Sequence, residues 1–416
     1  MKPIFTSLTP NAQASDVWFA LAALTAPGSW IRGKSIAELE NTLAKFLGLA
    51  HVYTFDSGRT GLYAILKALN LQAGDEVLLQ AYTCVAVPDP VLWAGAKPIY
   101  VDCEAETLTM SAADLEKKIT PKSKVLIIQH TFGFPADLEK LMKIAKEHKL
   151  FVIEDCAHAL GATYQGKQVG TFGDASFFSF GRDKVISCTF GGAVATGNTE
   201  FATKLERFAN SLPYPGVGWI ARQLLHPAII GLSKSLFNIL WLGKMLLYLS
   251  KVAGLTPLAV YAAEKKGGRP PFAFHRLANA LASAAGRQLE RLKKFNQHRV
   301  QIAQSYEVGL RKIPFGRQRA LPGSAPIYLR YTIRHPKAAE ILATAKKKNI
   351  FLGDWYTTAV APTGVSYQAI GYDPKTCPNA EGAAAQSLNL PTDIHITEKE
   401  VERIINFISG FPPSRE

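Results

Sequence analysis

In the first half of the chain, segments whose hydrophobic residues have helical spacing alternate with short apolar segments typical of strands. Leucine and isoleucine recur over residues 60–69 at the spacing of one helix face. Three short apolar runs, KPIYVD, KVLIIQH and LFVIED, predict strands, and the stretch 138–147 is patterned as a helix. This alternation predicts an α/β fold with a mostly parallel sheet. Such a sheet binds ligands beyond the carboxyl ends of its strands.

The pattern changes near residue 210. Residues 210–272 begin with SLPYPGVGW and end with KKGGRPP, both typical of loops, and these enclose a long apolar segment. Helical periodicity returns over residues 277–310, and a last helix is predicted at 398–408. The predicted division is a large domain at 1–210, an apolar and basic insert at 211–272, and a smaller C-terminal domain at 273–416.

Charge is unevenly distributed along the 416 residues, whose formal net charge is +14. Residues 201–350 contain 25 basic and 5 acidic side chains, whereas the segments on either side are slightly acidic. A basic middle favours a polyanionic partner, such as nucleic acid, anionic lipid or a phosphorylated substrate. The alternative is a solvated surface with excess lysine. With 48% hydrophobic and 19% charged residues, the composition excludes a disordered chain and a coiled coil.

The five cysteines form no CxxC pair, and their number is odd. This argues against a disulfide framework and a zinc cluster, and we expect no bound metal. The first residues lack the apolar core of a secretory signal, and no run of 18 residues is both apolar and uncharged. We therefore expect a cytoplasmic protein without a spanning helix.

Three short motifs could bind or react. Asp56–Thr60 joins a strand to a helix, so it is either an anion-binding helix start or an ordinary N-cap. Asp155 ends an apolar strand, with His158 three residues later, and is either a catalytic carboxylate or an N-cap. Lys184 follows another strand. A desolvated lysine there could form a Schiff base, although a surface lysine is more common.

The order of these motifs along the chain narrows the chemistry. A helix start that binds phosphate, a carboxylate that pairs with a pyridinium nitrogen, and a lysine that bonds to the cofactor are the three parts of a pyridoxal 5'-phosphate site. The sequence supplies them in Asp56–Thr60, Asp155 and Lys184. Together they favour a pyridoxal-phosphate enzyme.

At this point the chain resembles the DegT/DnrJ/EryC1/StrS family of pyridoxal-phosphate-dependent sugar aminotransferases, over about residues 20–210 and 274–410. The resemblance lies in SGRTGLYAIL, WAGAKPIYVDCEAETLTM and FVIEDCAHALGATYQGKQVGTFGDASFFSF, among others. It implies a fold-type-I enzyme with a large domain of mostly parallel sheet, a smaller C-terminal α/β domain, and a homodimer with shared active sites. It further implies a keto-sugar substrate and an amino donor, expected to be glutamate, in polysaccharide or glycan biosynthesis. No nucleic-acid partner is expected.

The resemblance also assigns roles to single residues. Lys184 is the Schiff-base lysine, Asp155 the partner of the pyridinium nitrogen, and His158 a neighbour of the cofactor's phenolic oxygen. Ser179 and the turn at residues 58–60 contact the phosphate. The expected cofactor-binding set is Gly58, Arg59, Thr60, Cys84, Asp155, His158, Ser179 and Lys184.

Arg59 and Cys84 are among the positions that depart from the family pattern. Arg59 stands where threonine is usual, and an arginine could still hold phosphate through two nitrogens. Cys84 stands where an aromatic side chain stacks on the cofactor ring, so either the stacking is lost or Tyr82 supplies it. These departures put the usual nucleotide-linked sugar in doubt. The sugar carrier, nucleotide or lipid, stays open.

The insert is the largest departure. On a single helical wheel, Arg222, Lys234, Lys244 and Lys251 fall within an arc of about 120°, and the remainder is rich in leucine, isoleucine, phenylalanine and tryptophan. That composition is typical of an interfacial segment, so residues 219–262 could hold the enzyme on the inner face of the membrane.

Other interpretations of the insert also remain open. Its proline and glycines favour several short helices, and it could instead form a hairpin in the dimer interface, pack against the body of the protein, or bind another protein. The second functional hypothesis is a catalytically altered, membrane-peripheral binding or regulatory protein that keeps the aminotransferase fold.

Overall fold

The computed structural model describes residues 2–272 and 274–411. The strands of its central sheet are β1 (His51–Phe55), β2 (Glu76–Gln80), β3 (Lys97–Val101), β4 (Ser123–Gln129), β5 (Phe151–Asp155), β6 (Ala175–Ser179) and β7 (Gly192–Thr196). The helices are α1 (Ala14–Leu24), α2 (Ser35–Leu47), α3 (Gly58–Ala68), α4 (Pro88–Trp93), α5 (Ala112–Lys118), α6 (Leu138–Glu147), α7 (Thr199–Ser211), α8 (Val217–Ser235), α9 (Leu242–Val252), α10 (Asn279–Leu289), α11 (Leu292–Gly309), α12 (Ala338–Lys347), α13 (Pro378–Gln386) and α14 (Glu398–Ile408).

The central sheet has the order β1-β7-β6-β5-β4-β2-β3. Strand β7 runs antiparallel to both of its neighbours, and the other six strands are parallel to one another. The three apolar runs of the sequence are β3, β4 and β5, and the predicted helix at 138–147 is α6. The predicted α/β fold with a mostly parallel sheet is confirmed.

Both faces of this sheet are buried. Leu78 and Leu126 pack into one apolar core, while their neighbours Val77 and Ile127 pack into a second core on the opposite face. Successive side chains of a strand alternate between faces, so strands covered on both sides must be apolar throughout. This burial explains the continuous apolar runs in the sequence.

The C-terminal part forms a smaller sheet with its own core. Its strands are Gly316–Arg317, Tyr331–Arg334 and Ser387–Leu390, and α14 has the bounds predicted from sequence. Contacts cross both predicted domain boundaries, because strand Ile4–Phe5 pairs with strand Ile350–Phe351 and α10 packs on α2. The boundaries themselves stay a prediction.

The insert folds into two helices instead of one, as expected, but its proline and glycines do not cause the break: α8 continues through Pro227 and Gly231, and Gly243 lies inside α9. Helix α8 packs against α1 and α10, with Ile220 and Leu224 in the core. A turn at residues 236–241 separates α8 from α9, so the single arc of four basic residues was wrong: two lie on each helix. No helix in the described part of the chain is long and apolar enough to cross a bilayer.

Helix α9 has an apolar face that no described residue covers. The exposed side chains on and beside it are Trp241, Met245, Tyr248, Leu249 and Val252. Helix α9 also packs on α8. The insert is therefore attached to the body through α8 and presents α9 to its surroundings.

The closest backbone approach near the sheet end involves Gly192, the first residue of β7. A Cβ there would lie 2.5 Å from the Gly58 nitrogen and 2.7 Å from the Phe178 oxygen. We expect Gly192→Ala to lower the free energy of unfolding by about 1–3 kcal/mol, because the added methyl overpacks this contact. Urea unfolding measures the change.

The matched control is Gly286 in α10, where a Cβ would meet no atom within 4 Å. Gly286→Ala should raise the free energy of unfolding by up to about 1 kcal/mol, since alanine favours helix. A Gly192→Ala protein as stable as the wild type would contradict the close approach.

Candidate functional site

A cavity of about 470 Å³ lies at the carboxyl ends of β5 and β6. Its lining includes seven of the eight residues expected to bind the cofactor. They are Gly58, Arg59, Cys84, Asp155, His158, Ser179 and Lys184. The eighth, Thr60, is fully buried beside it.

Strand register brings the start of α3 to this cavity. Gly192 pairs with Ser179 on one side and with Phe55 on the other, and α3 follows Phe55 after two residues. Ser57 is the N-cap, because its Oγ accepts from the Thr60 N–H at 3.3 Å. The first N–H groups of a helix have no partner within it, so this end of α3 suits an anion.

Two residues of the expected phosphate turn are used differently. The Thr60 hydroxyl lies 3.0 Å from Ser57 Oγ and belongs to the helix cap. The Arg59 guanidinium forms a buried ion pair with Glu264 and donates to the Ala259 carbonyl at 2.7 Å. Both terminal nitrogens of Arg59 therefore have protein acceptors. The backbone N–H groups of the turn and Ser179 are left to meet a phosphate.

Lys184 and His158 are in direct contact. The Lys184 Nζ lies 2.8 Å from His158 Nε2, while the Phe132 N–H donates to His158 Nδ1 at 3.3 Å. Burial lowers the pKa of Lys184 and lowers the pKa of His158 well below its usual value. Because Nδ1 accepts, a neutral imidazole carries its proton on Nε2, facing the lysine nitrogen, and burial favours the uncharged form of that amine. An uncharged amine is the nucleophilic form.

Asp155 is a buried carboxylate at the end of β5. Its Oδ1 accepts from the Ala157 N–H at 3.0 Å, and burial raises its pKa to about 6. A protonated ring nitrogen would supply the cation that offsets this cost. The buried acid, the buried lysine amine and the helix start therefore fit pyridoxal phosphate.

Two aromatic residues of this cavity were not found from the sequence. Trp355 and Tyr356 line it, and the Trp355 ring stacks on His158 with centroids 5.6 Å apart. They lie in a loop with no periodic pattern, so nothing in the sequence marks them. Tyr82, one expected source of ring stacking, does not line the cavity: it is fully buried, and its hydroxyl donates to Ser387 Oγ.

The raised pKa of Asp155 predicts a stability effect in the cofactor-free protein. Its usual value of 3.8 rises to about 6 in the folded state, so ionisation costs stability as pH rises through that window. Asp155→Asn removes this cost. We expect the variant to gain little near pH 4 and about 3 kcal/mol above pH 7, at about 1.4 kcal/mol per pH unit.

Urea unfolding from pH 4 to pH 8 checks this, with Glu116→Gln, which removes an exposed carboxylate, as the control. A gain for Asp155→Asn that does not change with pH would contradict a buried, destabilised carboxylate.

Comparison with known proteins matches residues 14–218 and 266–409 to the DegT/DnrJ/EryC1/StrS aminotransferase family. GDP-perosamine synthase of Escherichia coli O157:H7 is 38% identical over 214 residues, which cover 51% of this chain and 57% of that protein. A UDP-N-acetyl-3-dehydro-alpha-D-glucosamine 3-aminotransferase of Acidithiobacillus ferrooxidans is 39% identical over 44% of this chain and 50% of its own. The chain thus spans about half the length of the curated relatives it matches.

Solved structures agree over the whole fold. DesV of S. venezuelae, in complex with a ketimine intermediate, has a TM-score of 0.73 at 25% identity and covers 96% of this chain and 94% of its own. A putative sugar aminotransferase of Streptococcus pneumoniae in its PLP form has a TM-score of 0.75 at 22% identity, covering 98% of both chains. The expected fold-type-I architecture is confirmed, and the chain belongs to the DegT/DnrJ/EryC1/StrS aminotransferase family.

Proposed function

We propose that this protein is a pyridoxal-phosphate-dependent aminotransferase that acts on a keto sugar in polysaccharide or glycan biosynthesis. The observation that carries the proposal is the buried Lys184 amine, whose Nζ lies 2.8 Å from His158 Nε2 in the cavity that also contains Asp155. Relatives named as sugar aminotransferases support the substrate class. A non-catalytic protein would have no need to retain this costly buried set of groups.

Each residue has a task that follows from its position. The bound cofactor supplies a ring that accepts electrons. Asp155 holds a proton on the ring nitrogen, and the start of α3 with Ser179 holds the phosphate. Lys184 Nζ anchors the cofactor and moves a proton at the reacting carbon of the substrate. His158 orients that amine from one side.

Three further parts of the proposal come from the family resemblance. The amino donor is glutamate, the substrate is a sugar with one carbonyl group, and two copies of the chain form a homodimer with shared sites. Size-exclusion chromatography with light scattering measures the oligomeric state, and the donor follows from a panel of amino acids.

The direct test is cofactor loading. Purified protein mixed with pyridoxal phosphate should develop visible absorbance, and borohydride should fix the label to the peptide that contains Lys184. Added glutamate should remove that absorbance in unreduced protein, because the amino group passes to the cofactor. A panel of nucleotide-linked and lipid-linked keto sugars should then restore it.

Lys184→Arg is the control, since it keeps the positive charge but cannot form the bond. Label on another lysine, or loading without any response to glutamate, would overturn the proposed activity.

We also propose that the insert, residues 219–262, binds an anionic membrane surface. No Asp or Glu occurs between Glu206 and Glu264, whereas lysines flank the exposed face of α9. The Lys244 Nζ lies 4.2 Å from the centre of the exposed Trp241 ring, and Lys251 is exposed. An apolar face bordered by lysine, without acidic residues, fits the interface of an anionic bilayer. The enzyme would then work on the inner face of the cytoplasmic membrane.

Vesicle co-sedimentation tests this placement. Partial insertion of five side chains would contribute about 1 kcal/mol each to the binding free energy. Two lysines near anionic lipid would add about 1 kcal/mol each, and together these contributions offset much of the free-energy cost of association. Binding should therefore be reversible and should weaken with salt. We expect sedimentation with anionic vesicles at low salt, less at high salt, and least with neutral vesicles.

The variant Trp241→Ser should reduce binding at least several-fold. Val308→Ser, which removes another exposed apolar side chain outside the insert, should leave binding unchanged. If the wild type stays in the supernatant and Trp241→Ser breaks a dimer instead, the α9 face is an interface between subunits.

A further inference from the structure

The segment after α9 forms part of the cavity wall. We call residues 253–266 the strap; it runs from the end of α9 to the short 3-10 turn Glu264–Lys266. Leu258, Ala259, Val260 and Lys265 line the cavity that holds Lys184. The family match stops at residue 218 and resumes at 266, so nearly all of the strap lies outside it. The insert therefore contributes to the active site itself.

Two arginines hold the strap in place. Arg59 donates to the Ala259 carbonyl and pairs with Glu264, whose carboxylate also accepts from the Tyr261 N–H at 2.8 Å. Arg182, two residues before Lys184, donates to the Pro257 carbonyl at 2.8 Å. The Arg59–Glu264 pair is desolvated, and breaking such a pair leaves an uncompensated charge. This part of the strap is therefore firmly positioned.

The far end of the strap meets a loop of the smaller domain. The Lys265 Nζ donates to the Thr363 carbonyl at 2.8 Å, and the Ser366 N–H donates to the Lys265 carbonyl. Lys265 thus brings a cation to the cavity wall in a fixed place. A cation at this position suits a phosphate group of the substrate.

The strap also has apolar side chains that are partly open to solvent. Leu258 is 40% exposed, Leu255 36%, and Val252, at the end of α9, 69%. Exposed apolar side chains therefore continue along the chain from the α9 face to the cavity wall. A nucleotide would cover little of this aliphatic surface, because its ribose, its phosphates and the edges of its base are polar, whereas a hydrocarbon chain joined to phosphate would bury these leucines while Lys265 meets the phosphate.

We propose that the strap selects the substrate, and that the substrate is a keto sugar joined through phosphate to a lipid. This rests on the proposed aminotransferase activity. Lys265 binds the phosphate, and Leu255 and Leu258 bind the first part of the hydrocarbon. The Arg59–Glu264 pair positions the strap for this contact.

The experiment measures binding of three probes to cofactor-loaded protein in detergent, through the change in cofactor absorbance. The probes are geranyl diphosphate, UDP and inorganic diphosphate. The wild type should bind geranyl diphosphate at least about tenfold more tightly than either of the others, since leucine surface is buried only with the prenyl chain. Equal binding, or tighter binding of UDP, would overturn the proposal.

Variants separate the two contacts. Leu258→Ser should weaken the binding of geranyl diphosphate by about tenfold and leave the binding of inorganic diphosphate unchanged. Lys265→Gln should weaken the binding of both of these probes. The matched control is Leu240→Ser, because Leu240 is 86% exposed in the turn before α9 and does not line the cavity. It should change vesicle binding only. An unaltered affinity of Leu258→Ser for geranyl diphosphate contradicts the proposal.

The glutamate reaction without any probe is the internal reference. If loaded protein responds to glutamate but the strap variants bind all probes as the wild type does, the substrate assignment fails and the aminotransferase activity stands. If the protein does not respond to glutamate, the proposed function itself fails.

Discussion

The site depends on one close contact between backbones. Gly192 has Ser179 on one side and Phe55 on the other, and the missing side chain lets the start of α3 approach the end of β6. A helix start, which favours anions, thereby meets the strand end that leads to Lys184. Any side chain at this glycine would separate the phosphate end of the site from its reactive end.

A second constraint is the burial of polar groups next to one another on β5. Glu154 accepts hydrogen bonds from His130 and from the backbone N–H groups of Gly170, Phe172 and Gly173, so it fixes the loop that follows the strand. Its neighbour Asp155 points to the opposite face, as strand geometry requires, and lines the cavity. One residue anchors the loop with saturated hydrogen bonds. Asp155, in contrast, is a buried carboxylate that can pair with a cationic group of a ligand.

Sequence reasoning succeeded where the information is local and failed where it is distant. Strands β3 to β5 could be predicted because burial on both faces makes them continuously apolar, and α14 because its apolar stripe begins after Thr397, whose side chain forms a capping box with Glu400. Asp155 could be found because it ends such a strand. Trp355 reaches the cavity only through contacts with residues far away in the chain. The single-helix wheel of the insert failed because the turn at 236–241 resets the helix axis.

Arg59 and the insert, two of the departures from the family pattern, have one common explanation. The resemblance in sequence leads us to expect threonine at position 59, but a threonine could not reach Glu264 and the Ala259 carbonyl together, whereas the arginine guanidinium does. The substituted residue is therefore the one that attaches the inserted segment to the cofactor pocket. An insert that merely packed on the surface would not require a change at the phosphate turn. That the turn and the insert differ from the family together argues that they act as one unit, with α9 facing outward and the strap facing the reacting groups.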